Sequence, residues 1–377
     1  MKASAKAPAG MPANPVLALR ARELLAESEA LIKARKVAEA VRASVELVNI
    51  APELPEAHRL MGSLAMTTSA PEIAVGSFER ALALKPGSEG LHLDLGQALM
   101  AAGETVKARD ILLKGLALNA ANGKLLRELG QAQLQLGDRD GALKSFRRAR
   151  KTLPDDHFTA HMVGALSQPG TTNDAYVADL FDKYAGHFEA HLTGKLQYRV
   201  PQALADLLRE TGRPLGAALD IGCGTGLVGA ALGASASAID GIDLAPRMVE
   251  KTRETGFYRN LAVGEAARTL ATEADFAGPY DTAVAADVFI YVGAIETLFA
   301  AIVARLAPEG LFAFSIETAD RDDVEIRASG RFAHSAAYIE RLAKTHDLIV
   351  LRRQDHDIRL EDNRPIKGAL YILARDR

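Results

Sequence analysis

A glycine-rich stretch in the second half of the chain carries the clearest chemistry in the sequence. An apolar strand pattern containing Asp220 leads into alternating glycines at Gly222, Gly224 and Gly226. Glycines between a strand and a helix allow a tight turn and let a ligand touch bare backbone beside the helix N-terminus. The dinucleotide fingerprint would need another glycine where Leu227 stands. The stretch therefore predicts a ligand-binding loop, in which Asp220 suits a cationic amino group better than a pyrophosphate.

Acidic residues follow the next three predicted strands. Asp243 lies about 20 residues after the first glycine, where a carboxylate can accept both hydroxyls of a ribose. Glu265 follows the third strand and is placed for an adenine amino group. Asp287 follows the fourth strand, at the expected switch point of the sheet. The neighbours predicted to line the same site are Cys223, Leu244, Met248, Ala266 and Val288.

A parallel sheet is needed to bring these residues together. After residue 170, strand and helix signals alternate, which is typical of parallel strands joined by crossover helices. Seven strands are predicted within residues 216–222, 236–244, 261–265, 280–288, 311–317, 347–353 and 368–374. Helices are predicted to begin near Leu227, Pro246, Ala294 and Ala336. The pattern predicts a Rossmann-like, doubly wound α/β sheet of seven strands, one of them an antiparallel edge strand.

The first half of the chain repeats with a period of 34 residues. The glycine column consists of Gly62, Gly96, Gly130 and Gly164, and columns of alanine, Phe or Leu, and proline keep the same step. Small residues let paired helices approach, the Phe or Leu column fills the space between them, and proline ends the second helix. Because one such unit cannot bury its own apolar face, stacked units share a core. The pattern predicts an all-α solenoid.

The repeats and the strand pattern divide the chain into three predicted segments. Residues 1–15 are rich in Ala and Pro and are expected to form a disordered tail. The repeat array is predicted over residues 16–168, with the segment around Gly164 as a capping helix. The domain with the glycine loop is predicted over residues 171–377, after a Gln-Pro-Gly linker.

Composition and charge exclude several classes of protein. The net charge is −3, with +4 in residues 1–156 and −7 in the rest, which disfavours a nucleic-acid partner for the second half. The single cysteine, Cys223, excludes an intrachain disulfide and a cysteine-based zinc site, and no metal is expected. No apolar run reaches the length of a membrane span, and the first residues lack the apolar core of a secretory signal. A cytoplasmic location is therefore expected.

Both halves resemble known families. Residues 16–168 resemble tetratricopeptide repeats in their period and columns, although His58 and His92 stand where that family has a large aromatic residue. Residues from about 175 to 377 resemble class I S-adenosylmethionine-dependent methyltransferases, in which Asp220 and the three glycines match the first motif. The segments FDKYAGHFEAHL and YRVP are similar to bacterial proteins that combine both parts.

The resemblance implies S-adenosylmethionine as cofactor and assigns further roles. Asp287 would lie beside the methionine part, and Arg199 matches an arginine with which some relatives hold the methionine carboxylate. In relatives, the helix that contains Tyr184 and His187 folds over the cofactor. Tyr184 is predicted to shape the pocket and His187 to take a proton from an acceptor. The repeats would bind a protein or peptide partner on their concave face.

The methyl acceptor is left open by the sequence. Methylation at C5 of a pyrimidine needs a cysteine nucleophile, but Cys223 lies within the cofactor loop. The Asn/Asp-Pro-Pro-aromatic motif of base and amide methylation is replaced by Ala286–Phe289. A carboxylate, hydroxyl or amine on a small molecule or a protein stays possible. Two other functions also compete: a non-catalytic repeat scaffold whose second domain only binds cofactor, and a nicotinamide-dependent oxidoreductase.

Overall fold

The computed structural model describes residues 9–184, 198–361 and 364–375. The chain divides into two compact units, Met1–Asp155 and Asp156–Arg377. The first unit is built from helices that pack in consecutive pairs. They are α1 (Pro15–Lys33), α2 (Val37–Ile50), α3 (Pro55–Thr67), α4 (Pro71–Leu84), α5 (Glu89–Ala101), α6 (Thr105–Leu118), α7 (Gly123–Gln135) and α8 (Arg139–Thr152). The predicted all-α repeat array is confirmed.

The repeat columns meet inside each helix pair. A Cβ atom built on Gly62 would lie 2.6 Å from the ring of Phe78, which belongs to the Phe or Leu column of the same repeat. The glycines 34 and 68 residues later face the Leu or Phe of their own repeats in the same way. In the first pair, Ser28 stands in the glycine column, and the hydroxyl of Ser44 donates to its Oγ over 3.3 Å. The period thus reflects how closely two helices approach.

The second unit is an α/β domain with its elements in alternation. Its helices are α9 (His157–Ser167), α10 (Asp174–Tyr184), α11 (Val200–Glu210), α12 (Leu227–Leu232), α13 (Pro246–Thr255), α14 (Ala266–Thr272), α15 (Glu296–Val303) and α16 (Ala336–Thr345). Its strands are β1 (Ala217–Ile221), β2 (Ala238–Asp243), β3 (Asn260–Val263), β4 (Tyr280–Ala285), β5 (Leu306–Glu317), β6 (Val324–Ile326), β7 (Phe332–His334), β8 (Leu348–Glu361) and β9 (Arg364–Arg375).

Seven of these strands form one sheet in the order β3-β2-β1-β4-β5-β9-β8. The first five are parallel to one another, and β9 is antiparallel to both of its neighbours. The doubly wound sheet of seven strands is confirmed, with one correction. The antiparallel strand lies between β5 and β8 and is not an edge strand, because β8 and β9 pair as a long hairpin and β9 is the arm that joins β5. Strands β6 and β7 pair separately.

Apolar side chains cover both faces of the sheet. Phe312, Phe314 and Tyr371 are buried in the core on one face, and Leu311 and Ile372 are buried in the core on the other. This alternation along neighbouring strands fixes their register, because a slip by one residue would exchange the two faces. The carboxyl ends of the parallel strands are thereby held at one edge of the domain. None of the helices among the described residues combines the length and apolar character needed to cross a membrane.

Helix α9 packs within the second unit. His161 is 1% exposed, and its Nε2 lies 2.9 Å from the carbonyl oxygen of Gly330. Its ring stacks on Tyr176 of α10 with 4.6 Å between centroids and meets the edge of Phe332 at 5.5 Å. The 34-residue step assigned this helix to the repeat array as its cap, whereas its contacts here are with α10 and the β6–β7 hairpin.

Candidate functional site

The glycine loop follows β1 and leads into α12. Gly222, Gly224 and Gly226 have φ angles of +67°, +56° and +90°, a region that other residues enter only with strain. The loop is anchored to the neighbouring strand, because the N–H groups of Gly222 and Cys223 donate to the carbonyl of Ile242 over 2.7 and 3.1 Å. The sequence needs glycine here to turn back sharply at the end of the strand.

Asp243 ends β2 beside this loop. Its Oδ2 accepts from the N–H of Gly224 over 2.9 Å, and its Oδ1 accepts from the N–H of Ala245 over 2.8 Å. Burial raises the pKa of Asp243, while these two backbone donors lower it. The carboxylate therefore holds the loop and caps the turn before α13. Since a carboxylate offers about four lone pairs, each oxygen can still accept a bond from a ligand.

Asp220 lies behind the loop and is fully buried. Its Oδ2 accepts from the hydroxyl of Tyr258 over 2.6 Å, and its Oδ1 has no hydrogen-bond partner among the described residues. Burial raises the pKa of Asp220 to about 8. The sequence reading missed Tyr258, whose hydroxyl also accepts from the N–H of Gly229 over 3.0 Å. Nothing in the sequence around residue 258 signals this contact, since it joins residues 38 positions apart.

A cavity of about 730 Å³ opens at the carboxyl ends of β1–β4. Side chains of α10, including Val177 and Phe181, line one side of it. The predicted cofactor residues that line it are Gly222, Cys223, Gly224, Asp243, Leu244, Glu265, Ala266, Asp287 and Val288. Nine residues from four separate segments of the sequence thus meet around one space large enough for a ligand of nucleoside size.

Four of the predicted cofactor residues lie away from the cavity lining. Arg199 is exposed at the start of α11, although its neighbour Tyr198 does line the cavity. Asp220 and Met248 are buried behind the wall, Met248 in a small cluster with Ala245. Gly226 begins α12 beside Thr255 and Tyr258. These four residues can shape the site from behind its lining.

Glu265 caps α14 at the edge of the cavity. Its two carboxylate oxygens accept from the N–H groups of Ala267 and Arg268 over 2.9 and 2.7 Å. A capping carboxylate has a fixed position and favourable contact with the helix dipole. Asp174 of α10 lies near enough that the Glu265 charge adds to burial in raising the pKa of Asp174. This part of the cavity is therefore acidic.

Asp287 occupies a strained position after β4 and is tied to a buried arginine. Its φ angle is +60°, and its N–H donates to the hydroxyl of Ser315 over 2.8 Å. Nη1 of Arg359 lies 3.1 Å from Oδ2 of Asp287, and Nη2 of the same arginine bonds to Glu317. Burial raises the pKa of Asp287, whereas Arg359 lowers it. The sequence analysis did not predict a role for Arg359, because the strand was predicted to end at residue 353, eight residues before the end of β8.

The two predicted catalytic residues lie largely outside the part of the chain that the structure describes. Tyr184 ends α10, but its side chain and all of His187 are outside the described residues. Two other residues, His334 at the end of β7 and Tyr338 in α16, are buried and are not part of the cavity lining. Nε2 of His334 lies 2.8 Å from the carbonyl oxygen of Gly293, and the hydroxyl of Tyr338 accepts from the N–H of Ile295 over 3.1 Å. Their rings stack on each other, so both serve packing.

Comparisons with known families agree with this geometry. Residues 219–312 match the model of a methyltransferase domain, and residues 70–120 match that of the tetratricopeptide repeat. The second unit carries a methyltransferase domain. The first carries tetratricopeptide repeats. The resemblance of both halves is thus confirmed, and the matched span of the methyltransferase model contains the glycine loop, Asp243, Glu265 and Asp287.

Individual relatives match only parts of the chain. A ribosomal RNA small subunit methyltransferase C from Chromohalobacter salexigens is 37% identical over 123 residues, which are 31% of this chain and 36% of that protein. The chain thus covers about a third of that relative's length. A magnesium protoporphyrin IX methyltransferase from Synechocystis with bound S-adenosylmethionine is 16% identical, with a TM-score of 0.43 over 55% of this chain and 100% of that one. MamA from Desulfovibrio magneticus is 19% identical, with a TM-score of 0.37 over 39% and 84%.

Proposed function

We propose that the methyltransferase domain binds S-adenosylmethionine in this cavity and transfers the methyl group to an acceptor that enters beside Asp287. The observation that carries the proposal is the joint placement of the glycine loop, Asp243 and Glu265 around one cavity, in a domain that matches a methyltransferase model. A glycine loop alone would fit several nucleotide ligands. A loop followed by two carboxylates and no third fingerprint glycine disfavours a nicotinamide dinucleotide.

The residues present fit such a cofactor. Asp243 would accept the ribose hydroxyls with its free lone pairs, and Glu265 would accept from the adenine amino group. The backbone of Gly222 and Gly224 would lie along the methionine part. In addition, Oγ1 of Thr225 is buried in the cavity lining without a partner among the described residues, which supports a polar ligand, since buried polar atoms are normally hydrogen-bonded.

The chain's own contribution is placement of the acceptor and exclusion of water. When bound, S-adenosylmethionine supplies an electrophilic methyl group. Holding an acceptor in line with that group accounts for most of the acceleration that such a displacement needs. Tyr198 and Tyr291 line the cavity near Asp287, and Phe181 meets the edge of the Tyr291 ring at 5.0 Å. These rings narrow the space next to Asp287 and limit how an acceptor can lie.

The repeats are proposed to bind a protein or peptide. Their first helices carry polar side chains that bond from one repeat to the next. Nε of Arg59 lies 2.6 Å from Oδ2 of Asp94, and Nε2 of Gln97 donates to Glu128 over 3.1 Å. A row of linked charges and amides, exposed at Arg59 and buried at Glu128, provides donors and acceptors for an extended peptide. The cytoplasmic location stays a prediction as well.

A nucleic-acid acceptor is the second candidate, favoured only by the similarity to a ribosomal RNA methyltransferase. Against it stand the acidic balance of the second half and the segment Ala286–Phe289, which lacks the motif of base methylation. A non-catalytic scaffold is disfavoured by the intact glycine loop and Asp243. We therefore place the acceptor among small molecules and proteins.

Substitution of Asp243 tests the cofactor site. We expect Asp243→Asn to weaken S-adenosylhomocysteine binding at least tenfold, because two hydroxyl bonds of about 0.7 kcal/mol or more each are weakened. The matched control is Asp281→Asn: this carboxylate also accepts from a backbone N–H, that of Ala217, but lies at the opposite end of the sheet. Calorimetry should show affinity within twofold of wild type for the control.

Two outcomes would contradict the proposed function. One is unchanged S-adenosylhomocysteine affinity in a folded Asp243→Asn variant. The other is a wild-type chain that binds NADH and not S-adenosylhomocysteine, which would support a nicotinamide-dependent oxidoreductase instead. Thermal unfolding of each variant separates loss of a contact from loss of the fold.

A further inference from the structure

The cavity has a second charged wall, which meets the predicted cofactor residues where Arg359 pairs with Asp287. This arginine wall consists of Tyr291, Ser329, Arg331, Arg359 and Glu361, and all five residues line the cavity. They come from the end of β8, from the loop between β6 and β7, and from the turn after β4. Two arginines in a largely buried wall need a reason, because a buried cation costs several kcal/mol unless it is paired.

Arg359 is paired with two carboxylates. It is 4% exposed and bonds to Asp287, whose side chain is 16% exposed, and to Glu317, which is buried. Burial raises the pKa of Glu317, and Arg359 lowers it. This arginine is held in place from two sides and acts as part of the domain core. Its Nε has no partner among the described residues, so one donor at the wall is left over.

Arg331 differs because its partner is exchangeable. Nη1 of Arg331 lies 2.7 Å from Oε2 of Glu361, and the two side chains are 23% and 39% exposed. Burial disfavours the charge on Arg331, but Tyr291 and Glu361 outweigh it and keep the pKa of Arg331 above its usual value. Glu361 is the last residue of β8, and its side chain is more exposed than those of Asp287 and Glu317, which pair with Arg359. A carboxylate at a strand end can leave and be replaced at little cost.

The rest of the cavity lining indicates which kind of ligand could replace Glu361 at Arg331. Leu180, Val292, Leu298 and Leu360 contribute apolar surface to the cavity lining. At the wall itself, two guanidinium groups and two hydroxyls face a single exchangeable carboxylate. A cationic amine would be repelled there by the two guanidinium charges. A ligand with an anionic oxygen and an apolar body would satisfy both parts of the surface.

We propose that the methyl acceptor is a carboxylate-bearing molecule with an apolar body, and that Arg331 binds its carboxylate in the place that Glu361 takes here. The inference rests on the proposed function, since it names the substrate class for the same cavity. A guanidinium suits this role because its planar donors match a carboxylate bidentately. The same chemistry could come from the methionine carboxylate of the cofactor, so the experiment must separate the two sources.

Two variants with opposite expected signs test the exchange. The full chain, saturated with S-adenosylhomocysteine, is titrated with octanoate and 3-phenylpropionate, and with the two corresponding amides as uncharged controls. Arg331→Gln should weaken carboxylate binding at least tenfold. Glu361→Gln should strengthen it at least threefold, because the internal competitor is removed. The amides should bind all three proteins alike, and S-adenosylhomocysteine affinity should stay within twofold of wild type.

A purely structural ion pair gives a different pattern, because both variants would then change carboxylate binding in the same direction or not at all. Loss of S-adenosylhomocysteine affinity in Arg331→Gln with unchanged carboxylate binding would assign Arg331 to the methionine carboxylate. Absence of carboxylate binding in both wild type and Glu361→Gln would also contradict the proposal.

If Arg331→Gln does not fold, carboxylate binding by Arg331→Lys and by Glu361→Gln still tests the proposal. Should wild type not bind S-adenosylhomocysteine, the proposed function fails, and the same titrations without it still test Arg331.

Discussion

Asp220 shows how burial can make one carboxyl group sensitive to a ligand. Burial raises its pKa to about 8, against the hydrogen bond from Tyr258 that lowers it. The free protein therefore carries a mostly protonated Asp220 at pH 7. Its second oxygen has no partner among the described residues. If this carboxyl group faces the cationic amino group of the cofactor, directly or through water, binding must remove the proton.

We expect S-adenosylhomocysteine affinity to rise with pH below about pH 8, by up to about tenfold per unit, because only the ionised form of Asp220 attracts the cofactor amine. Calorimetry at pH 7 in two buffers of different ionisation enthalpy should show release of close to one proton. Asp220→Asn should abolish both effects. Tyr258→Phe removes the bond that lowers the pKa and should move the rise to higher pH. Affinity that does not change between pH 6 and 7.5 would contradict this role.

At the same scale, the sequence predicted single positions better than pairs. The glycines, Asp243 and Glu265 stand at fixed offsets from strand ends, so spacing alone locates them. It could not reveal that Asp243 and Glu265 also bond to backbone N–H groups. Clusters such as Arg359 with Asp287 join residues 72 positions apart. No local pattern encodes such a contact, since it depends on which strands become neighbours.

At the scale of the elements, the repeat glycines are explained by the side chains that cover them. A Cβ on Gly62 would lie 2.6 to 2.8 Å from three ring atoms of Phe78, which is 2% exposed. Gly76 lies in the same helix pair, and a Cβ there would meet nothing within 4 Å. The two positions form a matched pair, in which the same added methyl group meets either a buried ring or open space.

We expect Gly62→Ala to destabilise the repeats by about 1–3 kcal/mol, because the ring cannot move within its packed surroundings. Gly76→Ala should instead stabilise them by about 0.5–1 kcal/mol, since alanine is the better helix former. Chemical denaturation followed by far-ultraviolet circular dichroism measures both. Equal effects of the two substitutions would show that helix approach does not set the 34-residue glycine column.

The sequence located long, patterned strands and missed short or polar ones. All seven predicted strands of the main sheet exist, because each contains a run of apolar residues. Strands β6 and β7 have three residues each, too few for a periodic signal. The second half of β8 is polar from Gln354 to Asp357, and its pairing with β9 holds it extended. Main-chain pairing, not side-chain pattern, defines that part of the hairpin.

At the scale of the whole molecule, the period of the repeats extends one helix further than the compact unit they form. Gly164 continues the 34-residue column, but a Cβ there would meet only a methyl group of Thr171 at 3.5 Å. The division into compact units falls between Asp155 and Asp156. Periodicity predicts that a helix exists and which of its faces carries small residues. It carries no information about the partner of that face.

Two fragments test where the methyltransferase domain begins. A fragment of residues 156–377 keeps α9, and with it the contacts of His161 to Tyr176, Phe332 and Gly330. A fragment of residues 171–377 loses them, and Tyr176 lines the cavity. We expect the longer fragment to bind S-adenosylhomocysteine within about threefold of the full chain. The shorter one should unfold at least about 5 °C lower, because α9 buries an apolar face on this unit, and should bind more weakly.

The same pair of fragments also separates the two kinds of acceptor. If the repeats recruit a protein acceptor, the longer fragment loses turnover on that protein and keeps cofactor affinity. If the acceptor is a small carboxylate that enters the cavity directly, its turnover survives removal of the repeats. Equal unfolding temperatures and equal cofactor affinities for the two fragments would mean that α9 contributes nothing to the methyltransferase domain. The boundary predicted near residue 170 would then be the functional one, and α9 would act as the cap of the repeats that its spacing suggests.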